Sequence, residues 1–248
     1  SSASEGGVTS GASSGSSMDW VILFDGQLTS DWRMSTITNQ PGQDDPGHFF
    51  VQNGALVAVP GTDLGLLWNT IPTPPDFELD MEFSLAAVDD NSGVFVRFPD
   101  LDGFGYNNTA WVAVNFGFEI QIDETGRPNG APEHTTGAVY GQMQDFTRVV
   151  ARTPGEWNQF TIRAEGQVYT VLLNGQQVSR FTNTLPERGL PAPSRTLRSP
   201  SRNRRPRHIP PACRPCRNAP PSATTVPRNA MPARCTARKC SARESRTT

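Results

Sequence analysis

The sequence predicts an all-β domain, an antiparallel sandwich, flanked by segments that enter no core. Three observations carry this expectation. Between Asp19 and about Leu190, short apolar runs alternate with polar residues at period two, the mark of strands with one wet face. Asn-Gly pairs stand between such runs, as two-residue hairpin turns require. No window holds an apolar 3.6-residue period long enough for a helix.

Taken in chain order, residues 1–18 are Ser, Gly, Ala and Thr with few others, and bury too little to offset their ordering entropy. They read as a flexible tether, of the kind found ahead of exported, surface-anchored or multidomain proteins. Trp20–Phe24 is the first strand candidate. Phe49–Gln52 and Ala55–Val59 flank Asn53-Gly54 and read as a hairpin. Phe77 to Phe83 alternates apolar and acidic residues without interruption. Val94, Val96 and Phe98 alternate with Phe95 and Arg97, and Phe118, Ile120 and Ile122 with Glu119, Gln121 and Asp123. Ala138–Tyr140, Trp157–Ala164 and Gln167–Leu173 complete the series, the last running into Asn174-Gly175.

The formal net charge of −2 conceals a division. Residues 1–190 carry a net −15, residues 191–248 a net +13. The basic stretch holds eleven Pro, all four Cys and no aromatic residue. Three readings compete for it: a nucleic-acid-binding tail, a metal site at Cys213-Arg-Pro-Cys216, or a disordered or frame-shifted extension. Cys235 and Cys240 have the wrong spacing for the second half of a zinc ribbon, and His208 stands alone. The extension is the preferred reading. No run of ~18 apolar residues is present, so no membrane-spanning segment is expected. The body, 19–190, is too acidic to attract phosphates, which argues against a nucleic-acid partner.

The body carries an ordered set of motifs: Trp20-Val-Ile-Leu-Phe-Asp-Gly26, Leu28-Thr-Ser-Asp-Trp32, Phe50-Val-Gln-Asn-Gly-Ala-Leu-Val57, Asp76-Phe-Glu-Leu79 and Asn91-Ser-Gly-Val-Phe-Val-Arg97. Phe118-Glu-Ile-Gln-Ile-Asp123, His134-Thr-Thr-Gly-Ala-Val-Tyr-Gly141, Gly155-Glu-Trp-Asn158 and Leu173-Asn-Gly175 follow. This series resembles the 3-keto-disaccharide hydrolase family over about Asp19 to Leu190. The resemblance implies a jelly-roll of the concanavalin A-like lectin/glucanase type, with a sugar cleft on its concave sheet. The chain departs from the family at its end, where Pro193-Ser-Arg-Thr-Leu-Arg-Ser-Pro200 stands in place of closing strands.

Pleat parity selects the candidate site. With Phe118, Ile120 and Ile122 inward, Glu119, Gln121 and Asp123 share the opposite face. They form a row similar to the acidic row of related sandwich glucanases. A solvated outer face would show the same pattern. On the functional reading Glu119 and Asp123 are base and acid, and Gln121 holds a hydroxyl. The same parity gathers Asn91, Gly93, Phe95 and Arg97, with Phe95 stacking on a sugar and Arg97 stabilising an oxyanion or pairing with Glu119. His134, just before the segment Thr136–Tyr140 and in parity with Tyr140, carries protons near neutral pH on the functional reading, with Tyr140 touching the sugar. Trp68, Trp111 and Trp157 suit packing, but Trp111, in the loop Asp100–Asn115, also suits a sugar platform.

A retaining glycosidase needs carboxyls ~5–5.5 Å apart. Glu119 and Asp123 lie roughly 13 Å apart along an ideal strand. A 3-keto sugar needs only one base at its acidified C2, a proton donor and an enolate stabiliser. Cleavage of 3-keto-glycosides by elimination and hydration, in exported sugar breakdown, is therefore the leading expectation. A non-catalytic carbohydrate-binding module is the alternative, since architecture alone does not fix function. No cofactor is required, although Asp100, Asp102, Asn107 and Asn108 supply oxygens of the kind a structural Ca²⁺ takes.

Overall fold

The computed structural model describes residues 20–38, 47–61, 63–185, 188–189 and the backbone of 235–244. These fall within one compact unit spanning Ser1–Ala192 and Ala233–Thr248. The tether, residues 1–18, and the Cys213-Arg-Pro-Cys216 and His208 candidates lie outside the described residues. So does the second unit, Pro193–Pro232.

The expected antiparallel jelly-roll sandwich is what the chain forms. Its strands are β1 (Val21–Phe24), β2 (Trp32–Met34), β3 (His48–Gln52), β4 (Ala55–Val59), β5 (Leu67–Asn69), β6 (Phe77–Leu85) and β7 (Asn91–Val96). Then come helix α1 (Ala110–Phe116), β8 (Phe118–Asp123), β9 (Asp145–Phe146), β10 (Asn158–Glu165), β11 (Val168–Leu173), β12 (Gln176–Thr182) and β13 (Cys235–Glu244). One large sheet runs β3-β4-β13-β6-β10-β11-β12-β9, with β1 also paired to β13. Two-stranded pairs β7–β8 and β2–β5 accompany it. Both Asn-Gly hairpins are present, and Asn53, Gly54, Asn174 and Gly175 all take the positive φ that favours those residues.

The main core lies between the large sheet and the β7–β8 pair. Phe77, Phe83, Phe160, Ile162, Tyr169, Val171 and Leu173 come from the sheet; Val96, Phe118, Ile120 and Ile122 come from the pair. Each such side chain contributes about 1.5–3 kcal/mol by leaving water. A second cluster joins Trp68 of β5, Leu101, and Val112 and Ala113 of α1, with Phe95 and Phe98 packed against it. Residue 95 therefore turns away from the main core, as alternation demands.

Three expectations about elements are corrected. The first concerns the extension from 191, read as disordered or frame-shifted. Its residues 235–244 form β13, seated between β4 and β6. A central strand such as β6 would otherwise leave its donors and acceptors unpaired on one side. All eleven Pro of the stretch lie at or before Pro232, so every residue of β13 has an N–H to give. Secondly, the loop Asp100–Asn115 contains helix α1. Seven residues are too few to register as a period, and the Asn108 side chain caps the turn by accepting the Ala110 N–H at 3.0 Å. Thirdly, Ala138–Tyr140 is not a regular strand. Residues 136–140 instead bond along the free edge of β8: Thr136 N to Asp123 O, Gly137 N to Gln121 O, and Tyr140 N to Glu119 O.

Candidate active site

Strand β8 divides two environments. Phe118 and Ile120 are fully buried on its core face, and Ile122 nearly so. The opposite face carries Glu119, Gln121 and Asp123, in register with Phe95, Gly93 and Asn91 of β7. That face is no solvated exterior: Gln121 is 2% exposed and Asp123 fully buried.

Glu119 is the distinctive group. Its carboxyl lies over the backbone of Gly93, where a Cβ would stand 2.3 Å from Oε1 and 2.8 Å from Cγ. Among the described residues no donor reaches this carboxyl, and burial raises its pKa from 4.5 to about 7. Tyr140 is held alongside by its backbone bond to Glu119. The phenol is pushed upward, first by burial and then by the Glu119 and Asp123 carboxylates, so it keeps its proton. His134, closing the 3-10 turn Pro132–His134, stacks on Tyr140 with centroids 4.6 Å apart at 27°. Its Nδ1 lies 2.8 Å from Asn129 Oδ1. Parity grouped His134 with Tyr140, and the edge pairing of 136–140 sets Tyr140 beside Glu119.

Asp123 has a different occupation. One oxygen accepts from Thr125 N, Thr125 Oγ1 and Gly126 N; the other from Arg127 N at 3.1 Å and Asn91 Nδ2 at 3.3 Å. Arg127 Nε pairs with it at 3.5 Å. This carboxylate organises the turn after β8, and the expected proton-donor role finds no free oxygen. Gln121 Nε2 leans on Asn91 Oδ1 at 3.5 Å, while its own Oε1 is buried without a partner.

Arg97 does not join the site. Val96 ends β7, and Arg97 takes φ +53°, which breaks the alternation and turns its side chain coreward. The guanidinium donates to the carbonyls of Pro75 and Gly166, pairs with Asp76 at 3.6 Å, and lies over the Tyr169 ring. Asp76, not Glu119, is its acid. Phe95 is engaged in the second cluster, which removes it as a free sugar platform. Trp111 is 43% exposed on the outer side of α1, the side that also carries Asn115. Trp68 is core, as expected.

Two of the calcium candidates have protein partners. Asn108 gives its amide to Asp63 Oδ2 and Leu64 O, whereas Asp102 pairs with Arg33 at 3.5 Å. No cluster of three or more His, Cys, Asp or Glu stands together among the described residues. Nor is any helix there long and apolar enough to cross a membrane. Sequence reasoning read Gly93 as leaving room beside Asn91; the side chain that lies over it is that of Glu119.

Residues 19–206 match the sequence profile of the 3-keto-alpha-glucoside-1,2-lyase-like domain. The chain belongs to that family. Among solved structures it is similar to two provisionally assigned glycosyl hydrolases from Parabacteroides distasonis ATCC 8503. One is 19% identical with TM-score 0.48, covering 68% of this chain and 74% of the other. The second is 20% identical with TM-score 0.46, covering 91% and 96%. A glycosyl hydrolase family protein from Mycobacterium fortuitum is 9% identical with TM-score 0.40, covering 90% and 86%. Among curated proteins nothing matches the chain. Membership in the family places the chain among carbohydrate-related domains of the 3-keto-alpha-glucoside-1,2-lyase-like kind.

Proposed function

We propose that this protein cleaves the glycosidic bond of 3-keto-glycosides by elimination followed by hydration, with Glu119 as the base. The observation that carries the proposal is a half-buried carboxyl with no donor among the described residues, raised to about 7 and flanked by a protonated phenol. General-base work near neutral pH is best served by such a group. The ketone at C3 acidifies the C2 proton, which Glu119 takes. The electron pair left at C2 delocalises into the carbonyl as an enolate, then returns to form the C1–C2 double bond as the C1–O bond breaks. The departing oxygen takes a proton from Tyr140, and water afterwards adds across the double bond to give the free 3-keto sugar.

Tyr140 inherits the donor role given to His134 and Asp123, with His134 bracing its ring. Arg97 being elsewhere, the amides of Asn91 and Gln121 are the groups left to polarise the ketone. One base and one donor suffice here, so the separation of Glu119 and Asp123 presents no obstacle. Sugar breakdown outside the cytoplasm, by an exported protein, remains the setting we favour for this activity.

The test is incubation of the protein with a 3-keto-disaccharide and with the parent unoxidised sugar. Cleavage of the first alone, abolished by Glu119→Gln in a protein of unchanged circular dichroism, is expected. Binding of sugars without cleavage would replace the enzyme with a carbohydrate-binding module. Undiminished turnover by Glu119→Gln would remove Glu119 as base.

A further inference from the structure

We propose that Gly93 is a positioning residue for this site: the side chain it lacks leaves the slot in which the Glu119 carboxyl is partly sheltered from water. The inference rests on the reading of Glu119 as the base and deepens it. Strand register explains why the slot lies there and nowhere else. Directly opposite Glu119 stands Phe95, whose ring is committed to the Trp68–Leu101–Val112 cluster and occupies its own side of the pair. Directly opposite Gly93 stands Gln121, which leans toward Asn91 instead of covering the glycine. The gap above Gly93 is thus open diagonally to residue 119, and the Glu119 side chain fills it. A Cβ at 93 would approach Oε1 to 2.3 Å, Cγ to 2.8 Å and Cδ to 2.9 Å, all closer than carbon atoms tolerate.

The groups facing this carboxyl are few among the described residues. From the 132–140 segment come Tyr140 and, behind it, His134. On β8 itself stands Asp123, whose charge is shared with Arg127. From β7 come Asn91 and Phe95, neither charged. Among the described residues no cation pairs with Glu119, so its proton affinity follows from how deeply it sits. That depth is what Gly93 permits. A methyl group at 93 would push a flexible side chain outward, into water, without touching β8 backbone.

Gly93→Ala tests this in the full chain. The Glu119 carboxyl carbon is followed by NMR through a pH titration in both proteins, and kcat/KM for the 3-keto-disaccharide is measured over the same range. The expected result is titration near 7 in the parent and near the ordinary 4.5 in the variant. The acidic limb of kcat/KM should move down with it, and kcat should fall by about 10²-fold through loss of alignment. Titration at an unchanged pH would overturn the role of Gly93, whatever the activity. A shifted titration with an unshifted rate profile would support the slot but remove Glu119 as base. Should Gly93→Ala fail to fold, Gly93→Ala/Glu119→Ala must restore folding; failure of the double variant as well would overturn the proposal.

Discussion

At the residue scale, Glu119 and Asp123 are two acids of one strand face set to opposite tasks by their surroundings. Glu119 meets no donor among the described residues and holds its proton to about pH 7. Between 4.5 and 7 the folded protein binds a proton that the unfolded chain has released. The associated stability is therefore fully present below 4.5 and lost as pH rises through 7. Glu119→Gln should accordingly be more stable than the parent at pH 8, by roughly 2–3 kcal/mol, and by less than about 1 kcal/mol at pH 5. Urea denaturation at the two pH values checks this, and a parent more stable at pH 8 would contradict the buried-carboxyl assignment. Asp123 is its inverse, a carboxylate saturated with N–H and O–H donors. Asp123→Asn should cost about 3 kcal/mol, because an amide turns a donor toward donors. Thermal melting reads that loss. Parity made this row legible in the sequence. The division of labour was not, because it depends on the turn 124–127 folding back onto Asp123.

At the element scale, period-two alternation located β1, β3, β4, β6, β8, β10 and β11 within a residue or two of their ends. The elements that escaped include β12, across the Asn174-Gly175 turn from β11, the two-residue β9, and several whose partners are remote. β2 and β5 are three residues each and exist by pairing with one another. α1 is seven residues long and is held by Asn108 and by its apolar side on the second cluster. β13 was masked by its neighbours' composition, since Pro and Arg dominate the averaged stretch. Its removal by truncation before Cys235 should leave β1 and one side each of β4 and β6 unpaired. We expect a lower melting temperature and concentration-dependent aggregation, measured by light scattering during a thermal ramp. Unchanged melting would show that β13 carries no part of the fold's stability.

At the scale of the whole molecule, Arg97 ties the β7–β8 pair to the large sheet. It reaches the carbonyl before β6 and the one in the β10–β11 turn, and its charge is spent between Asp76 and the Tyr169 ring. Reading it from parity alone placed it on the wrong side, because a single left-handed residue at a strand end reverses the alternation. Arg97→Leu should lower stability by about 3 kcal/mol. It should leave the pH at which Glu119 titrates untouched, a combination that a residue of the reacting site would not show. Chemical denaturation and the same carboxyl NMR signal together check it. The position of β13 has one more consequence. The strand that shields β6 is encoded far downstream of it, so during synthesis most of the sandwich emerges with that flank bare. Nascent chains must keep this flank from meeting one another until residues 235–244 have left the ribosome.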